Sequence, residues 1–270
     1  MNVASFEPFA SILVLAVALV LGSFLNVCIY RLPMGESVVS PGSRCPKCGS
    51  PVRAWQNVPI VSWLLLRARC AACHAPISWR YPAVEALTGL AALALWRGFG
   101  PSWAFAIAAI FSLMLIVLFF TDYDHQLLPD LVTLPGFGLG LAVAWYNPFL
   151  GDPGWPRIVA AMTGAALGSG ILWGIGALYS RLRGVDAMGF GDVKMMALVG
   201  AFTGPAGVAV TLFAASVVGA ATGLALIPLK GKNLQNALPF GCFLAPAALV
   251  ALLWGRTAVA AYLGLVHFGP

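Results

Sequence analysis

Charge is what this chain most plainly lacks. Of its 270 residues only 9% are Asp, Glu, Lys or Arg; nine are acidic and three are histidine. With 60% of the residues hydrophobic and the apolar runs following one another, a soluble globule would have too little polar surface, and the composition is that of a polytopic membrane protein. Basic residues are missing from "MNVASFEPFA", ahead of the first apolar run, and Arg31 follows that run directly. The opening segment therefore reads as a retained helix with its N-terminus outside, not as a cleaved secretory signal. There is no convincing internal repeat and no low-complexity linker. The glycine-rich "GAALGSGILWGIGAL" has no preceding strand, which a dinucleotide-binding fingerprint requires; small residues at these spacings let helix backbones approach closely instead.

What is present comes first as apolar runs, at roughly 9–30, 83–97, 103–121, 131–147, 157–180, 192–204, 206–228 and 238–255. At about 20 residues per crossing, these predict an all-α polytopic membrane protein of about eight transmembrane helices, the sixth short. If the first helix enters the cytoplasm at Arg31, alternation places Arg31, Arg44, Lys47, Arg53, Arg67, Arg69, Arg80, Arg181, Arg183, Lys194, Lys230 and Lys232 inside and only Arg97, Arg157 and Arg256 outside. That asymmetry is a strong positive-inside signal. It accounts for the net charge of +6 without any nucleic-acid partner, leaving membrane lipid as the surroundings. The expected organisation is a first transmembrane helix over 1–31, a small cytoplasmic module over 32–82 and a transmembrane domain over 83–270.

The module holds four of the six cysteines, Cys45 and Cys48 in "CPKCG" and Cys70 and Cys73 in "CAACH". Two such knuckles can close a tetrahedral thiolate site with no open position for chemistry. A reducing cytoplasmic loop favours a structural Zn²⁺ over two disulfides. With four thiolates completing the shell, His74 is expected at the surface or behind a ligand. Cys28 and Cys242 lie in apolar runs and read as small buried hydrophobes.

Ionisable groups at or within membrane spans are costly, so each carboxylate there needs a reason. "FTDYDHQLLPD" carries three. Asp130, after Pro129 and before an apolar run, is expected to cap the helix that follows. Asp124 and His125 read as interfacial, because residues two apart on a helix point to different faces. Asp186, among arginines in "RLRGVDAMG", needs only a solvated ion pair. For Glu85 three roles stay open: a cap, a partner for Arg80, or the lining of a polar cavity. Asp122 closes the third run and Asp192, in "MGFGDVKMMALVG", opens the sixth, so alternation brings both to the cytoplasmic face. Two carboxyl groups that meet there can hold one water and divide the work, one ionised as base and one protonated as acid, since close like charges do not both ionise readily. The glycines of "GFGD" would let the backbone approach its neighbours and leave the carboxylate accessible. A serine or cysteine nucleophile would need a base nearby, and His125 alone is in the right neighbourhood. Two other classes remain on these residues: a transporter coupling ions through the aspartates, and a zinc-stabilised scaffold of a secretion machine.

"GSFLNVCIYRLP", the two C-x-x-C knuckles, "RYPAVEALTG", "TDYDHQLLPD", "GFGDVKMMALVG" and "LPFGCFLAPAAL", in that order, resemble the type IV prepilin peptidases, bifunctional leader peptidases and N-methyltransferases. The Gly-x-Gly-Asp element alone is shared with presenilin-like intramembrane aspartyl proteases; the knuckles and "GSFLNV" separate the two. The resemblance implies catalytic aspartates at Asp122 and Asp192. It implies prepilin and pseudopilin substrates with a short basic leader cut after glycine, followed by methylation of the new N-terminus from S-adenosylmethionine. It also implies residence in the bacterial inner membrane. No soluble methyltransferase fingerprint is present, so the methyl-donor site rests on the resemblance alone.

Overall fold

The computed structural model describes residues 3–184, 189–230 and 239–267. Among these there is no strand, only two isolated bridges in the cysteine module. Eight α-helices follow in order: α1 (Val3–Arg31), α2 (Val61–Leu65), α3 (Arg80–Phe99), α4 (Trp103–His125), α5 (Asp130–Ala142), α6 (Trp155–Arg183), α7 (Phe190–Lys230) and α8 (Gly241–His267). Asp186 and Lys232 lie outside the described residues.

Among the described residues, five segments are long and apolar enough to cross a membrane: Glu7–Met34, Trp103–His125, Trp155–Arg183, Phe190–Ala225 and Gly241–Leu265. The difference from the eight expected runs has local causes. The run at 131–147 is cut short at Ala142, where a 3-10 turn over Ala144–Tyr146 follows; its 13 helical residues reach only about 20 Å at 1.5 Å per residue, against a hydrocarbon core of about 30 Å. The run at 83–97 forms α3, which is 20 residues long but carries Arg80, Glu85 and Arg97. The runs at 192–204 and 206–228 are two helical limbs within α7 that meet at non-helical Gly204 (φ 67°, ψ −175°); Gly168 lies against both Met196 and Val208, so the chain reverses direction there. Pro205 explains the break, since it has no N–H to give the preceding turn and its ring disfavours a helical residue before it.

The chain forms two compact units, Met1–Val117 and Leu118–Pro270. In the first, α1 and α3 cross at glycines: a Cβ on Gly22 would lie 2.8 Å from Glu85 Cα, and one on Gly89 would lie 2.9 Å from the Leu19 side chain. Buried Asn26 donates from Nδ2 to the Tyr81 carbonyl at 3.1 Å. Glu85 is buried, and its carboxylate accepts the Ile60 N–H at 2.7 Å. That ties the stretch between the two knuckles of the cysteine module to α3, a role different from capping its own helix.

In the second unit α6 and α7 meet backbone to backbone. A Cβ on Gly164 would overlap the Gly200 carbonyl and one on Gly200 would overlap Gly164; Gly140 of α5 sits as closely against Ala201 and Phe202, at 2.8 Å. This contact comes from van der Waals packing of small residues, the usual adhesive between helices in lipid. Because the neighbours are main chain and cannot swing away, Gly200→Ala is expected to cost about 1–3 kcal/mol. Thermal unfolding of the detergent-purified protein measures this against Gly174→Ala, whose Cβ would meet nothing within 4 Å. Equal melting of the two variants would contradict it.

At one end of this unit, Arg157 donates to the carbonyls of Gly151 (3.0 Å) and Trp145 (3.1 Å), and the Arg256 guanidinium packs against Gly151. The carboxylates described next gather at the other ends of these helices.

Candidate active site and metal centre

Asp122 lies in the last turn of α4 and is 5% exposed, whereas Asp124 and His125 are exposed. The two-residue offset thus separates the acids as expected. Beyond His125 the chain reverses at Gln126, in a left-handed conformation (φ 50°), and brings Leu128 and Pro129 back into the interior before α5 begins. Asp192 is half-buried in the first turn of α7, its N–H bonded to the Gly189 carbonyl at 3.1 Å. The glycines before it create the clearance the sequence suggests. A Cβ on Gly191 would sit 3.1 Å from Leu128 Cβ, and one on Gly189 would sit 3.5 Å from the Asp192 carboxylate.

Asp122 and Asp192 therefore line the same cleft, a space of about 190 Å³ shared with Gln126, Leu127, Leu128, Asp130 and Lys194. Three helix N-termini, those of α5, α7 and α8, converge on this group of acids. The positive end of a helix dipole favours nearby negative charge, which helps explain how carboxylates are tolerated at the ends of apolar helices.

Two findings depart from the sequence reading. Asp130 does not cap α5: Pro129 occupies the N-cap with no side-chain cap bond. Both oxygens of Asp130 instead accept from Lys194 Nζ, at 2.7 and 2.8 Å. The ammonium also lies 5.1 Å from the centre of the Phe190 ring. An acid in a first turn gains from the helix dipole as well as from an ion pair, and only the tertiary fold supplies the lysine, 64 positions away. The second departure is Cys242, buried as expected but more than a small hydrophobe. Its N–H donates to Asp122 Oδ2 at 3.0 Å, and its thiol meets the Phe119 carbonyl at 3.4 Å. Neither Lys194 nor Cys242 stands out in the sequence as a site residue; a lysine two positions after Asp192 is the only local hint.

In the first unit the two knuckles repeat one backbone plan. Cys45 N–H bonds to Ser50 O and Gly49 N–H to Cys45 O, each at 2.9 Å; Cys70 N–H bonds to Ala75 O at 2.8 Å and His74 N–H to Cys70 O at 3.0 Å. Gly49 (φ 70°) and His74 (φ 57°) occupy the same left-handed position. His74 is exposed and stands outside the group formed by Cys45, Cys48, Cys70 and Cys73, whose ligand atoms all lie within 4.8 Å of one another. The Sγ atoms of Cys45 and Cys73 are 3.9 Å apart, and those of Cys48 and Cys70 are 4.0 Å apart. Four thiolates around a tetrahedral zinc at about 2.3 Å would stand about 3.8 Å from each other, so the donor set fits such an ion. Hydrogen bonds from Ser50 push the Cys48 thiol down to about 6, and the backbone N–H groups of Cys73 and Ala72 lower that of Cys70. Both effects favour the thiolate that a metal requires, while hydrogen bonding with the Cys48 side chain holds the Cys73 thiol up at about 11.

Comparison with known proteins follows the same division. The family model for the bacterial peptidase A24 N-terminal domain matches residues 16–99, and that for the type IV leader peptidase family matches residues 109–224. The prepilin leader peptidase/N-methyltransferase of Stutzerimonas stutzeri is 36% identical over 281 residues, covering 95% of both chains. Its counterpart in Pseudomonas aeruginosa is 34% identical and covers 97% of both. The one in Neisseria gonorrhoeae is 40% identical, over 84% of this chain and 86% of its own. No solved structure matches.

Proposed function

The chain belongs to the type IV leader peptidase family, and on that premise we propose how its residues carry the family's two activities. It is an integral membrane enzyme that removes leader peptides from prepilins and N-methylates the product. In our reading Asp122 and Asp192 are the catalytic pair, and the observation that carries this is their convergence on one cleft from the ends of α4 and α7. The pair holds a water. One carboxylate takes its proton as the oxygen attacks the scissile carbonyl carbon, and the other carboxyl gives a proton to the carbonyl oxygen, yielding a neutral gem-diol. Proton return to the amide nitrogen then releases the leader carboxyl and the new amine. The pair shares its protons as a unit, so base and acid are roles within the cycle.

Substrates in this reading are prepilins and pseudopilins with a short basic leader cut after glycine. Asp130 and Lys194, paired at the rim of the cleft, brace the entrances of α5 and α7. The methyl group comes from S-adenosylmethionine. A Zn²⁺ held by Cys45, Cys48, Cys70 and Cys73 stabilises the module at 32–82, which faces the cytoplasm from the bacterial inner membrane. The first helix over 1–31 precedes it and the peptidase domain over 83–270 follows it. Ion transport and a purely scaffolding role, the other classes open from the sequence, lose their ground to the peptidase family membership.

The test uses the purified full chain in detergent with a prepilin-type peptide and S-adenosylmethionine. Mass spectrometry should show a cut after the glycine and, with the methyl donor present, one added methyl group on the new N-terminus. An intact peptide after incubation with well-folded protein would overturn the reading.

A further inference from the structure

We infer that the first turn of α8, Gly241 and Cys242, positions Asp122 for hydrolysis, an inference that rests on Asp122 and Asp192 being the catalytic pair. A carboxylate at a helix end can rotate about two bonds, and a general base performs only when held near its productive geometry. At Asp122 three features supply that hold. The Cys242 N–H donates to Oδ2 at 3.0 Å in a buried setting. This donor is one of those a helix start leaves without an intrahelical partner, so α8 gives up no bond of its own. The Cys242 thiol meets the Phe119 carbonyl at 3.4 Å, fastening the same turn to α4 three residues before Asp122.

Gly241 supplies the third feature, which is space. Its φ is not left-handed, so backbone conformation does not demand glycine. A Cβ there would lie 2.8 Å from Asp122 Oδ2, 3.0 Å from its Cγ and 3.2 Å from Leu128 Cδ2. Any other residue displaces the carboxylate or the turn. With Oδ2 held by the Cys242 N–H, the carboxyl group is restrained from turning. Gly241 and Cys242 are positioning residues: they act on the reaction only through Asp122.

The experiment compares Gly241→Ala, Cys242→Ala and a protein with an ester in place of the Cys242 amide, which deletes the N–H alone. Each is assayed for prepilin-peptide cleavage and for thermal unfolding in detergent. Gly241→Ala and the ester should each lower kcat about 100-fold with KM unchanged, because the carboxylate is misplaced while the substrate surface is intact. Cys242→Ala, which keeps the N–H but loses the thiol's contact with the Phe119 carbonyl, should lower kcat by less than the ester does. A folded Gly241→Ala or ester protein with kcat within threefold of wild type overturns the inference, as does a rise in KM at constant kcat. If Gly241→Ala fails to fold, the ester protein decides alone. Active Asp122→Asn or Asp192→Asn proteins would remove the catalytic pair itself; inactivity of those two beside normal cleavage by the Gly241 and ester proteins would remove only the positioning role.

Discussion

Purified Asp122→Asn and Asp192→Asn proteins should each cleave a prepilin peptide about 10⁴-fold more slowly than wild type, or less than can be measured. Each amide keeps the shape of the carboxyl group but can neither take the proton of the attacking water nor give one to the carbonyl oxygen. Both variants should fold. In Asp122→Asn the side-chain amide oxygen can still accept the Cys242 N–H, which in the wild type reaches Asp122 Oδ2 at 3.0 Å, and Asp192 stands at the rim of a cleft rather than in a packed core. Asp124→Asn provides the control two residues away on an exposed face and should cleave normally. Groups that work as a unit do not add, so the double Asp122→Asn, Asp192→Asn protein should be no slower than either single one. Normal cleavage by either folded single variant would dismiss the proposed mechanism.

The second large effect concerns the metal. Replacing Cys45 or Cys70 by Ser should cost the module its zinc. Four thiolates within 4.8 Å of one another bind through a charge and geometry that three cannot match, and loss of a group merely supporting a ligand already costs about 10–100-fold in affinity. Wild-type protein purified under reducing, chelator-free conditions should contain about one zinc per chain; the Ser variants should contain almost none. Their module should become open to proteases over residues 32–82, since metal binding and folding are coupled in such small domains. His74→Ala should retain the metal, because His74 is outside the ligand group. Metal-free wild type, or a metal-loaded Cys45→Ser protein, would count against the site.

The positions of the helices could be read from the sequence because lipid demands long apolar runs and because glycines and prolines punctuate them. Where each run became a full crossing could not. The early end of α5 at Ala142 and the joining of two runs through Gly204 depend on packing against neighbouring helices, and no periodicity reports that. The four cysteines were legible because two C-x-x-C knuckles have the spacing that a tetrahedral four-thiolate site would need. Asp122 and Asp192 were singled out by their cost near a membrane and by resemblance, but their sharing of a cleft belongs to the tertiary fold. Asp130 shows the same limit from the other side: its local context argues for a cap, and a lysine 64 positions away claims it. Gly241 lies within "LPFGCFLAPAAL", one of the segments that carry the resemblance, yet its role was not legible there, since the room it leaves matters only to an atom 119 residues earlier in the chain.

The bend of α7 bears on how the enzyme moves. Where Gly204 and Pro205 interrupt the helix, the Phe202 carbonyl accepts from Nδ2 of fully buried Asn147 at 2.9 Å, while the Asn147 oxygen accepts the Phe149 N–H at 3.0 Å. Straightening or flexing the helix there would strand polar groups in a dry interior, at roughly 1–3 kcal/mol for each. The bend is therefore a braced elbow and not a hinge. The limb that presents Asp192 is thus anchored at its far end by a buried side chain from the turn after α5.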